Sequence, residues 1–282
     1  MRKRISFISV LTMFLAIGFV IIFSRPVKAA ANGVQLKANR TYAAYDVTGD
    51  GMKDKIRIRA ANQTDDEAYT SLTVSVNGKT ACRLKNTRFY NVIANIYTLK
   101  NGQPFLYLYA PADNGDGPVC ALLKYTNGKF RKALDFTEIM AGYGNHRIGE
   151  VTNLNGNKIV ITESIVSYSL GINAINFTYK YVNGKFVPTS KYGSYKEIYS
   201  TDGSSRYFTV NSDLPAYARP GATAVNTTLK AGSLTKIIKC ALISGKMYIQ
   251  LECDGEIYWI KALENPPIAD NERQFMEVRY AG

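Results

Sequence analysis

Residues 175–186 read INFTYKYVNGKF. Ile175, Phe177, Tyr179 and Tyr181 alternate with Asn176, Thr178 and Lys180, and Asn183-Gly184 follows at once. Period two means a strand with one buried face. Asn-Gly after such a strand predicts a tight hairpin, because both residues tolerate positive φ. The same signal occurs earlier. KYTNGKF at 124–130 precedes KYVNGKF at 180–186 by 56 residues, and VSVNGK at 74–79 stands 50 residues further upstream. Two strand-like stretches precede each of the two later turns. They are FLYLYA (105–110) and CALLKY (120–125) for the middle copy, and KIVITES (158–164) and INFTYKY (175–181) for the last. A unit of about 50 residues with several antiparallel strands is the sequence form of a propeller blade. Three unrelated hairpins are the plainer alternative.

The rest of the chain is also strand-rich. Ile56 and Ile58 alternate with Lys55, Arg57 and Arg59, and Met247, Ile249, Leu251 and Cys253 alternate with Tyr248, Gln250 and Glu252. Only Leu134 to Met140 hints at a helix. At 282 residues and 46% hydrophobic content, the chain suffices for one large domain or two smaller ones around a real core.

The first residues read as a targeting segment. Arg2, Lys3 and Arg4 precede an uncharged apolar run from Ile5 to Phe23, and small residues at Ala29 and Ala31 offer cleavage points. The expectation is a signal peptide over 1–29 and an exported protein. The run approaches the length that spans a bilayer, so an uncleaved anchor is the alternative, and cleavage would leave no stable membrane span. Five of the 35 basic residues and none of the 22 acidic ones leave with the segment, so 30 face 22 and the net charge is +8. That balance favours anionic wall polymers or headgroups as partners. No dense Lys/Arg run exists, which argues against nucleic acid. Cys82, Cys120, Cys240 and Cys253 permit two disulfides. A two-residue hairpin at Ser244-Gly245 sets Cys240 opposite Ile249, so Cys240 and Cys253 are poorly placed to join.

The stretch YDVTGDGMKDKIRI (45–58) carries the candidate metal chemistry. Calcium takes six to eight oxygens, supplied by alternate loop positions around a glycine turn. With Asp46 first, the ligands are Asp46, Thr48, Asp50, the Met52 carbonyl and Asp54. Arg57 stands where an EF-hand needs glutamate, which excludes that motif. The competing reading is an Asx-type turn whose acids cap backbone amides. DVTGDGMKDKI resembles the calcium loop that opens FG-GAP and VCBS repeats, Asp-x-Asn/Asp-Gly-Asp-Gly-x-x-Asp before a strand. The resemblance covers about residues 40–195 and implies a structural calcium ion. TLKNGQPF (98–105) and TNLNGNKI (152–159) keep the turn without the acids. Three units are too few for a closed propeller, so an incomplete propeller or a bent sheet stack is expected.

Residues 187–206, rich in Ser, Gly and Tyr, read as a linker centred on 196–205. Beyond it, Pro220-Gly221, Leu229-Lys230-Ala231-Gly232 and Tyr258-Trp259-Ile260 resemble, in order and spacing, the bacterial Src-homology-3-like domain. That resemblance covers about 206–263 and implies a small β-barrel that binds peptidoglycan or a protein partner. The domain is assigned to 206–282, with a last strand expected through Phe275 to Tyr280. Tyr217, Tyr248 and Tyr258 are its candidate ligand residues, lining a peptide or glycan groove; barrel core is the alternative for them. ADNGDGPV (112–119) has the wrong spacing for a metal and reads as a hairpin loop. One histidine, His146, stands without a catalytic motif around it, so no catalytic residue is assigned. The expected fold is thus all-β. The expected function is non-catalytic binding in the cell envelope, outside the cell and wall-associated. A carbohydrate-binding or accessory module of an extracellular enzyme system is the alternative, and a divergent hydrolase is a third reading.

Overall fold

The Asn-Gly pairs at 77–78, 127–128 and 183–184 form tight hairpin turns in the computed structural model, which describes residues 33–113 and 116–280. Asn77, Asn127 and Asn183 have φ of 50°, 51° and 47°, and their glycines are also positive at 79°, 78° and 89°. This is the paired positive φ that matches the twist of antiparallel strands. Each turn joins the third and fourth strands of a four-stranded antiparallel run. The first run is β2 (Thr41–Tyr45), β3 (Asp54–Gln63), β4 (Tyr69–Val76) and β5 (Lys79–Phe89). The second is β6 (Ile93–Thr98), β7 (Pro104–Ala110), β8 (Val119–Thr126) and β9 (Lys129–Asp135), with β1 (Val34–Leu36) added beside β6. The third is β10 (Gly144–Asn155), β11 (Lys158–Ser167), β12 (Gly171–Val182) and β13 (Lys185–Pro188). The acidic loop and its two acid-free counterparts all connect the first strand of a run to the second. The expected hairpin loop 112–119 connects β7 to β8.

The second sheet is buried on both faces, and every residue of β7 is buried. Period two divides its side chains between two cores. Leu106, Leu108 and Ala110 meet Ile56, Ile58, Leu72 and Val74 of the first sheet. Phe105, Tyr107 and Tyr109 meet Ile159, Ile161 and Ile175 of the third. Three sheets therefore stack face against face. The described residues form no α-helix and no closed sheet. The hint of a helix at Leu134–Met140 is a single 3-10 turn, Phe136–Glu138, started by the Asp135 side chain accepting the Thr137 N–H.

The expected linker belongs to the sheet. Strand β14 (Tyr192–Ser200) pairs with β12 on one edge, from Asn173↔Ile198 to Asn176↔Ser194. Its other edge pairs with β19 (Leu234–Ile243) through Tyr192↔Ala241, Gly193↔Cys240 and Ser194↔Lys239. Residues 196–205 are the end of β14, a turn and β15 (Gly203–Ser204). A ten-stranded sheet thus runs from β10 to β20 (Lys246–Cys253) and β21 (Glu256–Lys261), with β16 (Tyr207–Thr209) beside β19. A separate pair, β17 (Leu214–Ala216) and β18 (Thr227–Leu229), lies against β21. The apolar core follows the sheet without a break, from Tyr107 through Phe177 and Tyr195 to Ile249 and Phe275.

Instead of the last strand expected through Phe275 to Tyr280, the tail makes two isolated bridges, Val210↔Phe275 and Ser200↔Val278. Phe275 is fully buried with its ring 5.8 Å from that of Phe208. The four cysteines are free thiols, and Cys240 lies opposite Ile249 as the two-residue turn requires. The expected signal segment lies outside the described residues. Among the described residues no helix is long and apolar enough to cross a membrane.

Candidate functional site

The acidic loop is held by its own amides. Asp54, buried at the start of β3, accepts the Val47 and Thr48 N–H groups at 2.7 and 2.8 Å through Oδ2. Its Oδ1 accepts Asn77 Nδ2 at 2.6 Å, which ties the loop to the first Asn-Gly turn. Asp46 accepts the N–H groups of Gly49 at 2.6 Å and Asp50 at 3.2 Å through Oδ1, and that of Gly51 at 2.8 Å through Oδ2. Asp50 accepts the Met52 N–H at 2.8 Å. Desolvation pulls the Asp46 carboxyl upward, but the Gly51, Gly49 and Asp50 amides and the Thr48 hydroxyl hold it below its ordinary value. Gly49 and Gly51, at φ 80° and 86°, supply the left-handed turns that aim those amides inward.

In this arrangement the three acids are turned onto loop amides. Thr48 Oγ1 lies 3.3 Å from both Asp46 Oδ1 and Asp54 Oδ1, so one hydroxyl draws two carboxylates together. Asp50 is turned onto Met52. Among the described residues no three His, Cys, Asp or Glu side chains gather at a metal-sized point.

The three candidate tyrosines do not share a groove. Tyr217 and Tyr248 are 6% and 5% exposed and pack with Trp259 and Ala241 in a small satellite core. Tyr258 pairs with Leu251 and packs on the opposite face, against the main core. Tyr217 does hold the C-terminal strands together: its N–H donates to the Trp259 carbonyl at 2.7 Å and its carbonyl accepts the Trp259 N–H at 2.9 Å.

His146 sits in a bulge of β10 at φ 52°, with Nδ1 3.1 Å from Asp116 Oδ2 but without the alignment of a hydrogen bond. Cys120 lines the same cavity, of about 290 Å³. Burial pushes its thiol up to about 12, against the Gly149 carbonyl 3.4 Å away. A thiol so held stays protonated and is a poor nucleophile. Behind it Glu163 is fully buried, and neither of its carboxyl oxygens has a hydrogen-bond partner.

The outer face of the long sheet is different in character. Lys261 Nζ lies 5.1 Å from the Tyr217 ring centroid, and Lys236 Nζ 5.8 Å from that of exposed Tyr207. Tyr192 carries two cations, Lys239 Nζ at 4.6 Å and Lys191 Nζ at 5.3 Å. Tyr192 itself leans on Trp259, with centroids 5.9 Å apart. Such contacts orient an ammonium without neutralising it.

No family model, curated protein or solved structure matches this chain. Sequence reasoning missed Tyr192, Lys191 and Lys239 because the first two fall in the stretch read as linker. The signal was present in KYGSYKEIY (191–199), where Tyr192, Ser194 and Lys196 alternate with Gly193 and Tyr195.

Proposed function

We propose that this chain is an exported, non-catalytic binding protein of the cell envelope, retained at the wall by peptidoglycan or a protein partner through its C-terminal strands. The observation that carries the reading is the row of lysines on the outer face, Lys236 over exposed Tyr207, Lys239 and Lys191 over exposed Tyr192, and Lys261 against buried Tyr217. Aromatic rings with free ammoniums suit a hydroxylated, anionic polymer such as the wall presents. Two finer statements on architecture belong to the same proposal. Residues 40–195 form an incomplete, propeller-like FG-GAP/VCBS-like stack, supported by three four-stranded runs packed face to face. Residues 206–282 form a Src-homology-3-like unit, supported by the Tyr217–Trp259 bridge that draws β17 against β21.

A second reading, a carbohydrate-binding accessory module, is favoured by a polar cleft of about 490 Å³ between loops of the first two sheets, lined by Asp46, Asn101, Gln103, Lys124 and Asn127. Sedimentation with insoluble peptidoglycan separates the two. Residues 30–282 should pellet with the wall, and the variant Lys236→Gln with Lys261→Gln should pellet less. If the chain stays in solution, wall binding is wrong. If charge removal on the outer face changes nothing while Lys124→Gln weakens pelleting, the cleft is the site.

A further inference from the structure

Strand β12 changes partner halfway along its edge. Over Asn173–Asn176 it pairs with β14, and over Tyr179–Val182 with β13. Thr189–Lys191 cross the break, and the Lys191 carbonyl is pinned there by the Leu242 N–H at 2.8 Å. At the break a cavity of about 340 Å³ opens. Its walls come from both halves of the chain: Asn176 and Thr178 of β12, Ser190 and Ser194 around the start of β14, Tyr192, and Lys239 of β19. Among the described residues no carboxylate lines it.

The chemistry of the walls is one-sided. Lys239 lines the cavity and sits over the Tyr192 ring; Lys191, outside the lining, places a second ammonium over the same ring. Among the described residues neither has a carboxylate within ion-pair distance. The neutral groups add donors. Ser190 Oγ accepts the Tyr192 N–H at 3.1 Å, which leaves its own hydrogen to give. Asn176 Oδ1 accepts the Thr162 hydroxyl at 2.7 Å, which leaves the Nδ2 hydrogens. Uncompensated ammoniums beside hydroxyl and amide donors select an oxyanion, and lysine binds phosphate as a point charge. The volume falls in the range of small-molecule pockets.

The geometry points to an oxyanion seat at this seam for phosphate carried on a hydroxylated chain, a polyol phosphate or sugar phosphate. It rests on the envelope-binding reading only for the source of the ligand. The seat uses residues of both halves, so it exists only while β14 joins them.

The test has its own reporter, since Trp259 is the single tryptophan of the chain and touches Tyr192. Its fluorescence is followed on titration with glycerol 3-phosphate and with a short glycerol-phosphate oligomer. Parallel titrations use inorganic phosphate, glycerol and phosphatidylglycerol vesicles. Both phosphorylated polyols should give a saturable change. Lys191→Gln with Lys239→Gln should weaken it about tenfold or more, the loss expected for removing charged hydrogen-bond donors. Lys85→Gln with Lys55→Gln, an equal charge change at exposed sites on the first sheet, should leave it in place. Equal weakening by the two pairs overturns the seat in favour of net charge alone. A response to glycerol equal to that of its phosphate, or to vesicles only, overturns the ligand class. Inorganic phosphate binding as tightly as the oligomer overturns the polyol part. A failed peptidoglycan pellet with a saturable titration removes the envelope reading and leaves the seat standing. The reverse result removes the seat alone.

Discussion

Glu163 faces the core between the second and third sheets with no hydrogen-bond partner, and Gly149 opposite it has no side chain to spare. A Cβ there would lie 1.9 Å from Phe136 Cδ1 and 2.2 Å from Glu163 Oε1. Burial pushes the Glu163 carboxyl well above its ordinary 4.5; Arg147 pulls it down and Asp135 adds to the rise. A raised folded-state pKa means that the folded chain holds the proton more tightly than the unfolded one. The stability so gained is complete below pH 4.5 and is lost as pH climbs toward the folded value. Glu163→Gln should therefore melt close to the parent at pH 4.5 and progressively above it toward pH 8. A constant difference across that range would show that Glu163 does not titrate. Asp54 makes the opposite case, a buried carboxylate with every donor in place. Asp54→Ala strands those donors and should cost about 2–3 kcal/mol. Its melting temperature should fall equally in calcium and in chelator, whereas a fall seen only with calcium would restore the metal.

Among the elements, the hairpins were legible in the sequence because their signal is local. Asn127-Gly128 and Asn183-Gly184 state their own φ angles, and the alternation before them states which face is buried. The strand β14 was not legible. Its buried positions include Gly193 and Ser200, small residues that erase an apolar pattern. Gly193 is required by crowding across the sheet, since a Cβ there would meet Phe177 Cε1 at 2.4 Å and Ile175 Cγ2 at 2.7 Å. That constraint is set by residues far along the chain and leaves no local trace. Gly193→Val should cost about 1–3 kcal/mol by overpacking, read as a lower midpoint in urea with an unchanged slope. The candidate site divided in the same way. The Asp46 loop could be located from its spacing, but whether its acids face a metal or its amides depends on where Asn77 delivers its side chain. The seat around Tyr192 depends on a pairing between β14 and β19 that no motif announces.

For the molecule as a whole, the main core runs through both halves, so stability should be shared. Phe275, far from the first sheets in sequence, packs on Phe208 in that core. Phe275→Ala should cost about 3–5 kcal/mol and lower amide protection in β12 and β14 as well as in the tail. Loss of protection confined to residues 206–280 would mean two independent folding units. Trypsin gives a simpler check. A linker would be cut readily at Lys196, but that residue is a bulge between Tyr195 and Glu197, both paired with β12, so cleavage there should be no faster than unfolding.

The join made by β14, paired with β19 over Tyr192–Ser194 and with β12 from Ser194 to Ile198, also has a mechanical meaning. The backbone is stitched to β12 on one side and to β19 on the other, so the molecule has no swivel at its middle. Whatever surface holds the C-terminal strands then dictates the bearing of the stacked sheets, as a bracket does rather than a tether.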